Sequence, residues 1–288
     1  MRFLDIPGHL ALKNILYATD LSASAEKALP YALGIAQRYS STVYAVHVVR
    51  PDVYPFAPPA DWPQMATDEN EFRKEAEAAL EEELQSVPHE LIFRAGELWQ
   101  TLSEIIQEKK IDLIVSGTHG RTGLEKALLG SISEEIFRKA SCPVLTVGSS
   151  VSSKPREHGQ LNRILYATDF SPESLAAAPY AISLAREHRA QLILLHCMED
   201  GGDVQTMLQT LRDLVPFGAE LRCQPTCVAE QGAHGNNILE VAEGHGADII
   251  VLGVVSGSSR LNKKSYFYRS ALYKIVTQAK CPVLTVRG

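Results

Sequence analysis

Long apolar runs are missing from this sequence. Nowhere do 18 apolar residues follow one another, and Met1 to Lys13 contains no apolar core of signal-peptide length, so neither a membrane-spanning helix nor export is expected. Cysteine is sparse: the five are Cys142, Cys197, Cys223, Cys227 and Cys281, an odd number with no framework spacing. A chain of 288 residues does not need staples, so a reducing, cytoplasmic compartment is expected. Basic blocks are also missing. The net charge is −6 and no Lys/Arg stripe is present to neutralise phosphates, which argues against nucleic acid or an anionic membrane as partner and leaves room for a small anionic ligand. There is no Gly-Lys-Ser/Thr of a Walker A loop and no Gly-x-Gly-x-x-Gly after the first apolar run. The Ser-Gly-Gly-x-Asp-Ser loop of adenylating ATP pyrophosphatases is absent too, the corresponding stretch reading Thr19-Asp20-Leu21-Ser22.

What is present is one unit written twice. Asn14-Ile-Leu-Tyr-Ala-Thr-Asp-Leu-Ser22 returns as Arg163-Ile-Leu-Tyr-Ala-Thr-Asp-Phe-Ser171, and Cys142-Pro-Val-Leu-Thr-Val147 returns unchanged as Cys281-Pro-Val-Leu-Thr-Val286. Asp112-Leu-Ile-Val-Ser-Gly117 likewise pairs with Asp248-Ile-Ile-Val-Leu-Gly253. The division expected is a first domain over 1–148, a polar linker over 149–160 and a second domain over 161–288. Strands are read at Asn14–Thr19, Thr42–Val49, His89–Ala95, Asp112–Gly117 and Val144–Gly148, with helices near Ala23–Tyr39, Thr67–Ser86, Leu98–Lys109 and Ser131–Ala140. Ala25, Ala28, Leu29, Ala32, Leu33 and Ala36 make one apolar stripe on the first helix, with Ser22 or Ser24 as its N-cap. Strand alternating with helix means an α/β fold: two tandem Rossmann-like domains, each a doubly wound, five-stranded parallel sheet. Pro51, Pro55, Pro58, Pro59 and Pro63 mark a long loop in the first copy, which the second replaces with a short turn at Gly201-Gly202.

After the fourth strand of the first copy comes Gly117-Thr-His-Gly120, then nine residues, then Gly130-Ser131-Ile132-Ser133 opening a helix. Glycines let backbone N–H groups approach an anion without an obstructing Cβ, and a helix N-terminus supplies unpaired N–H groups and the positive end of the dipole. The dipole alone is worth about 0.3–1 kcal/mol, so several N–H groups and the hydroxyls of Ser131 and Ser133 must converge on a polyphosphate. The spacing by itself is met equally well by a Gly-containing loop and a Ser N-cap with no ligand.

These residues resemble the universal stress protein family in its tandem form, over essentially the whole chain. In the ATP-binding branch the phosphate loop reads Gly, two residues, Gly, nine residues, Gly, Ser/Thr, and Gly117, Gly120, Gly130 and Ser131 match every position. The resemblance implies ATP as ligand, with or without Mg2+. It implies that Asp20, after Ala18 at the end of the first strand, meets the ribose, that the backbone of Val48 meets adenine, and that Ile132 and Ser133 extend the phosphate cradle. It also implies that Val144–Val147 pairs with Val283–Val286 to form an intramolecular pseudo-dimer; whether a homodimer forms beyond that stays open. His119 and Arg121 are read as solvated loop residues, and no catalytic residue is assigned.

The second copy departs from the pattern. It keeps Asp169 and Gly253, but Ser256 replaces the second glycine, the segment to the last helix reads three residues longer, and Arg269 stands in place of Gly130 after Tyr266, Phe267 and Tyr268. A degenerate nucleotide site is expected there. His196, Cys197, Cys223 and Cys227 have the composition of a zinc set without a familiar spacing, Cys223 and Cys227 being read onto one strand, and no metal site is assigned. The functional reading is a nucleotide-binding regulatory or stress-response protein. A slow ATPase or autophosphorylating enzyme with Ser131 or Ser133 as acceptor, and an adaptor independent of nucleotide, remain as alternatives.

Overall fold

The computed structural model describes residues 9–49, 62–118, 131–152, 159–198, 202–232, 234–254 and 263–288. The first half runs β1 (Asn14–Ala18), α1 (Ala23–Glu26), α2 (Leu29–Tyr39), β2 (Thr42–Val49), α3 (Trp62–Leu84), β3 (His89–Ala95), α4 (Leu98–Glu108), β4 (Leu113–Gly117), α5 (Ser131–Lys139) and β5 (Val144–Val147). The second runs β6 (Arg163–Ala167), α6 (Pro172–Leu175), α7 (Ala178–His188), β7 (Gln191–Met198), α8 (Val204–Arg212), β8 (Thr226–Gln231), α9 (His234–Gly244), β9 (Ile249–Val254), α10 (Lys263–Gln278) and β10 (Val283–Arg287).

All strands lie in one ten-stranded sheet of order β3-β2-β1-β4-β5-β10-β9-β6-β7-β8. Within each half the neighbours are parallel; at the centre β5 and β10 run antiparallel, with Leu145 opposite Leu284. The strand that would be an exposed edge in either half is therefore covered by the other. Each half starts from the same clamp: Asp112 Oδ2 accepts the N–H groups of Lys13 and Asn14, both at 2.9 Å, and Asp248 Oδ2 accepts those of Asn162 and Arg163 at 2.7 and 3.0 Å. One face of the sheet carries a single apolar core shared by both halves, including Leu29, Ala32, Leu145, Ala181 and Leu284. The other face carries separate cores under α4 and α5 and under α9 and α10.

Three sequence expectations are corrected. The helix read over Ala23–Tyr39 is two helices, because Pro30 has no N–H to donate back to the preceding turn and the chain breaks at Lys27 and Ala28. Ser22 is the N-cap of the first, accepting the N–H of Ala25. Pro63 falls in the first turn of α3 rather than in a loop; proline is tolerated there because that N–H has no intrahelical partner. The described parts of 149–160 are docked: the Lys27 ammonium donates to the Ser149 carbonyl at 2.9 Å, Val151 is buried, and Gly159 at φ 61° lies so close to Gly34 that a Cβ would stand 2.8 Å from its carbonyl carbon. Finally, α10 begins at Lys263, well before the expected start next to Arg269, so the segment before it is shorter than its counterpart in the first half, not longer. Lys-Lys-Ser-Tyr-Phe-Tyr-Arg-Ser over 263–270 holds no Gly or Pro to stop the helix, whereas the matching stretch of the first copy contains Gly130.

Candidate functional site

The sheet reverses direction of growth between β1 and β4: the chain winds outward through β2 and β3, then crosses back to the other side of β1. The crevice beyond the C-terminal ends of these two strands is where an open α/β sheet accommodates a ligand. Its first wall is the turn leaving β1. The Thr19 N–H donates to the Val46 carbonyl at 3.0 Å and the Thr19 carbonyl meets His47 Nδ1 at 2.9 Å, so both backbone groups are held by β2. Thr19 Oγ1 accepts the Leu21 N–H and Asp20 Oδ1 accepts the Ser22 N–H, at 3.0 and 3.1 Å, closing a turn in which Leu21 takes a left-handed φ of 62°. The half-buried Asp20 is thereby fixed at the mouth of the crevice.

β2 reaches past β1. Thr42 donates to Lys13 and Val46 accepts from Thr19, so alternate residues of β2 direct their backbone groups toward β1. Val48 belongs to this set, and β1 has already ended at Ala18 beside Val46. Its N–H and C=O thus face the crevice rather than a strand.

The second wall is the end of β4. Ala18 lies beside Ser116, and both are buried. The Ser116 side chain, 3% exposed, has no hydrogen-bond partner for its hydroxyl among the described residues. Ser133, in the first turn of α5, donates its hydroxyl to the Gly117 carbonyl at 2.6 Å and is buried by the contact. That bond holds the N-terminus of α5 against the end of β4. Gly120 and Gly130 lie outside the described residues, as do His119, Arg121, Ser256, Pro51, Pro55, Pro58 and Pro59; of Ser131 and Ile132 only the backbone, opening α5, is described. Of the site residues read from sequence, the structure therefore brings Ala18, Asp20, Val48, Gly117 and Ser133 to one crevice together with the start of α5. Ser116 was missed by sequence reasoning, although a lone hydroxyl closing the apolar run Leu113–Val115 was the available signal.

The corresponding place in the second half repeats the turn but not the helix start. His196 Nδ1 meets the Thr168 carbonyl at 2.7 Å, Phe170 takes φ 60°, and Asp169 Oδ1 accepts from both the N–H and the hydroxyl of Ser171. Burial pushes the Asp169 carboxyl upward, but the hydroxyls of Ser171 and Ser174 and the Ser171 N–H outweigh it and hold the group below its ordinary value. Aligned on the shared Cys-Pro, Ser133 corresponds to the buried Leu272; aligned on Asp112–Gly117 and Asp248–Gly253, Ser116 corresponds to the buried Leu252. α5 begins eleven residues before Cys142, whereas α10 begins eighteen before Cys281. At 1.5 Å per residue the second helix starts about 10 Å further out, and the N–H groups matching those at the head of α5 are spent inside it.

The cysteine and histidine set does not assemble. Cys223 precedes β8 instead of sharing it with Cys227, and its thiol meets Gln191 Oε1 at 2.6 Å. His196 uses Nδ1 on Thr168, and among the described residues no cluster of His, Cys, Asp or Glu is placed to hold a metal ion.

The matched family model, Universal stress protein family, covers residues 11–148 and 160–213. The chain belongs to the universal stress protein family. It is 36% identical over 147 residues to universal stress protein MJ0531 of Methanocaldococcus jannaschii, covering 49% of this chain and 84% of that one. To a universal stress protein of Mycolicibacterium smegmatis it is 30% identical over 218 residues, 72% of this chain and 71% of the other. The crystal structure of a universal stress protein from Archaeoglobus fulgidus superposes with a TM-score of 0.73 at 23% identity, over 95% of this chain and 98% of that one, which bears on the fold alone. Among the described residues no helix is long and apolar enough to cross a membrane.

Proposed function

We propose that the first half of this chain binds ATP, with or without Mg2+, and that the protein works as a nucleotide-responsive stress protein. The observation that carries this reading is the placement of the head of α5 at the switch-point crevice, tied to Gly117 by Ser133, directly after a loop of the form Gly117-x-x-Gly120-x9-Gly130-Ser131. The N–H groups opening α5 and the Ser131 hydroxyl would hold the phosphates, with the glycines allowing close approach. Asp20 would accept from the ribose hydroxyls, and the outward backbone edge of Val48 would meet the adenine ring. Ser116 fits the same group of contacts, since a buried hydroxyl without a partner is costly unless a ligand uses it.

ATP when bound supplies a triphosphate anion, and the residues described bind and orient it. The proton of the Ser133 hydroxyl is committed to Gly117 in a buried contact, which makes it a poor phosphoryl acceptor. That weighs against Ser133 as acceptor in the autophosphorylating alternative, and we read the site as one that holds the nucleotide as a signal. The reading includes a division into 1–148, a connecting 149–160 and a second domain over 161–288 whose crevice is degenerate, the place of the Ser133 hydroxyl being taken by Leu272. No disulfide joins the five cysteines, which fits a cytoplasmic setting. Titrating the full chain with ATP by calorimetry tests the proposal: one site per chain, lost in Gly130→Arg, is expected, and heats indistinguishable from dilution would refute it.

A further inference from the structure

A cavity of about 60 Å3 lies on the shared-core face of the sheet, where the two halves meet and at the opposite strand ends from the crevice. Its walls are close to two-fold symmetric: Tyr31 of α2 faces Tyr180 of α7, and Leu145 of β5 faces Leu284 of β10. A single water needs about 10–15 Å3 and several polar partners, so a space of this size with mostly hydrocarbon walls, the Asp248 carboxylate at its edge being engaged by the Asn162 and Arg163 N–H groups, suits an apolar guest better than solvent. Symmetry breaks at one end, where Tyr39 is matched by His188.

That end has a defined polarity. His188 Nδ1 accepts the Leu161 N–H at 3.0 Å, which leaves the ring proton on Nε2, in a long 3.5 Å hydrogen bond to the Tyr39 oxygen that a better-placed acceptor in the cavity would displace. Tyr39 gives its own proton to Glu187 Oε2 at 2.7 Å. Burial, and then the Arg38 guanidinium, hold His188 down at about 4, so the imidazole is neutral near pH 7 and offers one N–H without a charge. We propose that this seam cavity is a second ligand site, for a small neutral molecule with a branched or cyclic hydrocarbon body and one hydroxyl or carbonyl oxygen set toward His188. The proposal is independent of the nucleotide reading.

The test is methyl-detected NMR of the full chain titrated with isobutanol, with isobutyrate as the anionic counterpart of nearly the same shape. Saturable shifts confined to methyls around the seam, including Leu145, Leu184 and Leu284, are expected with isobutanol, and binding at least tenfold weaker with isobutyrate. Leu184→Phe and, from the facing helix, Ile35→Phe fill the space; whichever keeps a native methyl spectrum should abolish saturation. His188→Asn, which retains an acceptor for Leu161, should weaken isobutanol binding several-fold. Shifts that never saturate, saturation that persists in a folded filled variant, or isobutyrate binding as well as isobutanol would each overturn the proposal.

Discussion

The Ser133 hydroxyl donates to the Gly117 carbonyl at 2.6 Å across sixteen residues of chain, joining the head of one helix to the tail of the strand before it. This one buried bond ties together the described elements on either side of residues 119–130. Ser133→Ala is expected to cost about 1–3 kcal/mol of stability, since it leaves a buried carbonyl without this partner. Urea unfolding measures it, and ATP affinity in the same variant should fall as the start of α5 loosens.

Ser116→Ala should act in the opposite sense on stability. Removing a buried hydroxyl that has no partner among the described residues should stabilise the chain by about 1 kcal/mol, while lowering ATP affinity if the ligand uses that group. A rise in urea midpoint together with a weaker calorimetric constant is the expected pair of results.

His188 gives stability a pH dependence. Its folded value is lowered from 6.5 to about 4, by burial first and by Arg38 second, so as pH falls through 6.5 the unfolded chain takes a proton that the folded chain refuses. Stability is therefore full above pH 6.5 and declines toward pH 4, by at most roughly 3 kcal/mol from this group. Tyr39, Glu187 and Arg38 are its polar neighbours. His188→Asn should flatten the profile in that window; an unchanged slope would mean that another group carries it.

Thiol reactivity should single out Cys223. Burial pushes the thiols of Cys142 and Cys197 up to about 11 and that of Cys281 to about 12, and also raises Cys227, whereas Cys223 is exposed. Limited iodoacetamide at neutral pH followed by peptide mapping is expected to find label on Cys223 first.

Much of the fold was legible because the apolar runs are short and strongly β-branched. The strand at Thr42–Val49 is rich in Val and that at His89–Ala95 centres on Leu-Ile-Phe, with no Gly or Pro inside either, and the duplication told which strands must correspond. The break before α2 was hidden by an apolar stripe that continues through Pro30, since periodicity reports burial and not backbone hydrogen bonding. The early start of α10 was hidden because aligning Arg269 with Gly130 assumed equal architecture, while helix propensity without a stop signal extended the element. Of the candidate site, the positions of Asp20 and Gly117 at strand ends could be read directly, while Gly120 and Gly130 lie outside the described residues. The lock of His47 on Thr19 and the lone Ser116 hydroxyl depend on which strands are neighbours, which no local pattern encodes.

Gly159 reports on how the halves are joined. With φ at 61° and Gly34 against it, any side chain is both strained and obstructed, so Gly159→Val should destabilise by about 1–3 kcal/mol although it lies in a connecting segment. Denaturant unfolding would show it; a change below a few tenths would mean that the segment is not docked in solution.

The central claim is that nucleotide is held by the first half and not by the second. Calorimetric titration of ATP into the wild-type chain, Gly130→Arg and Arg269→Gly decides it. One site per chain in the wild type, none in Gly130→Arg and still one in Arg269→Gly is the expected set, because Leu272 still stands in the place of Ser133 and Leu252 in that of Ser116. Two sites in the wild type, or binding that survives Gly130→Arg, would contradict it.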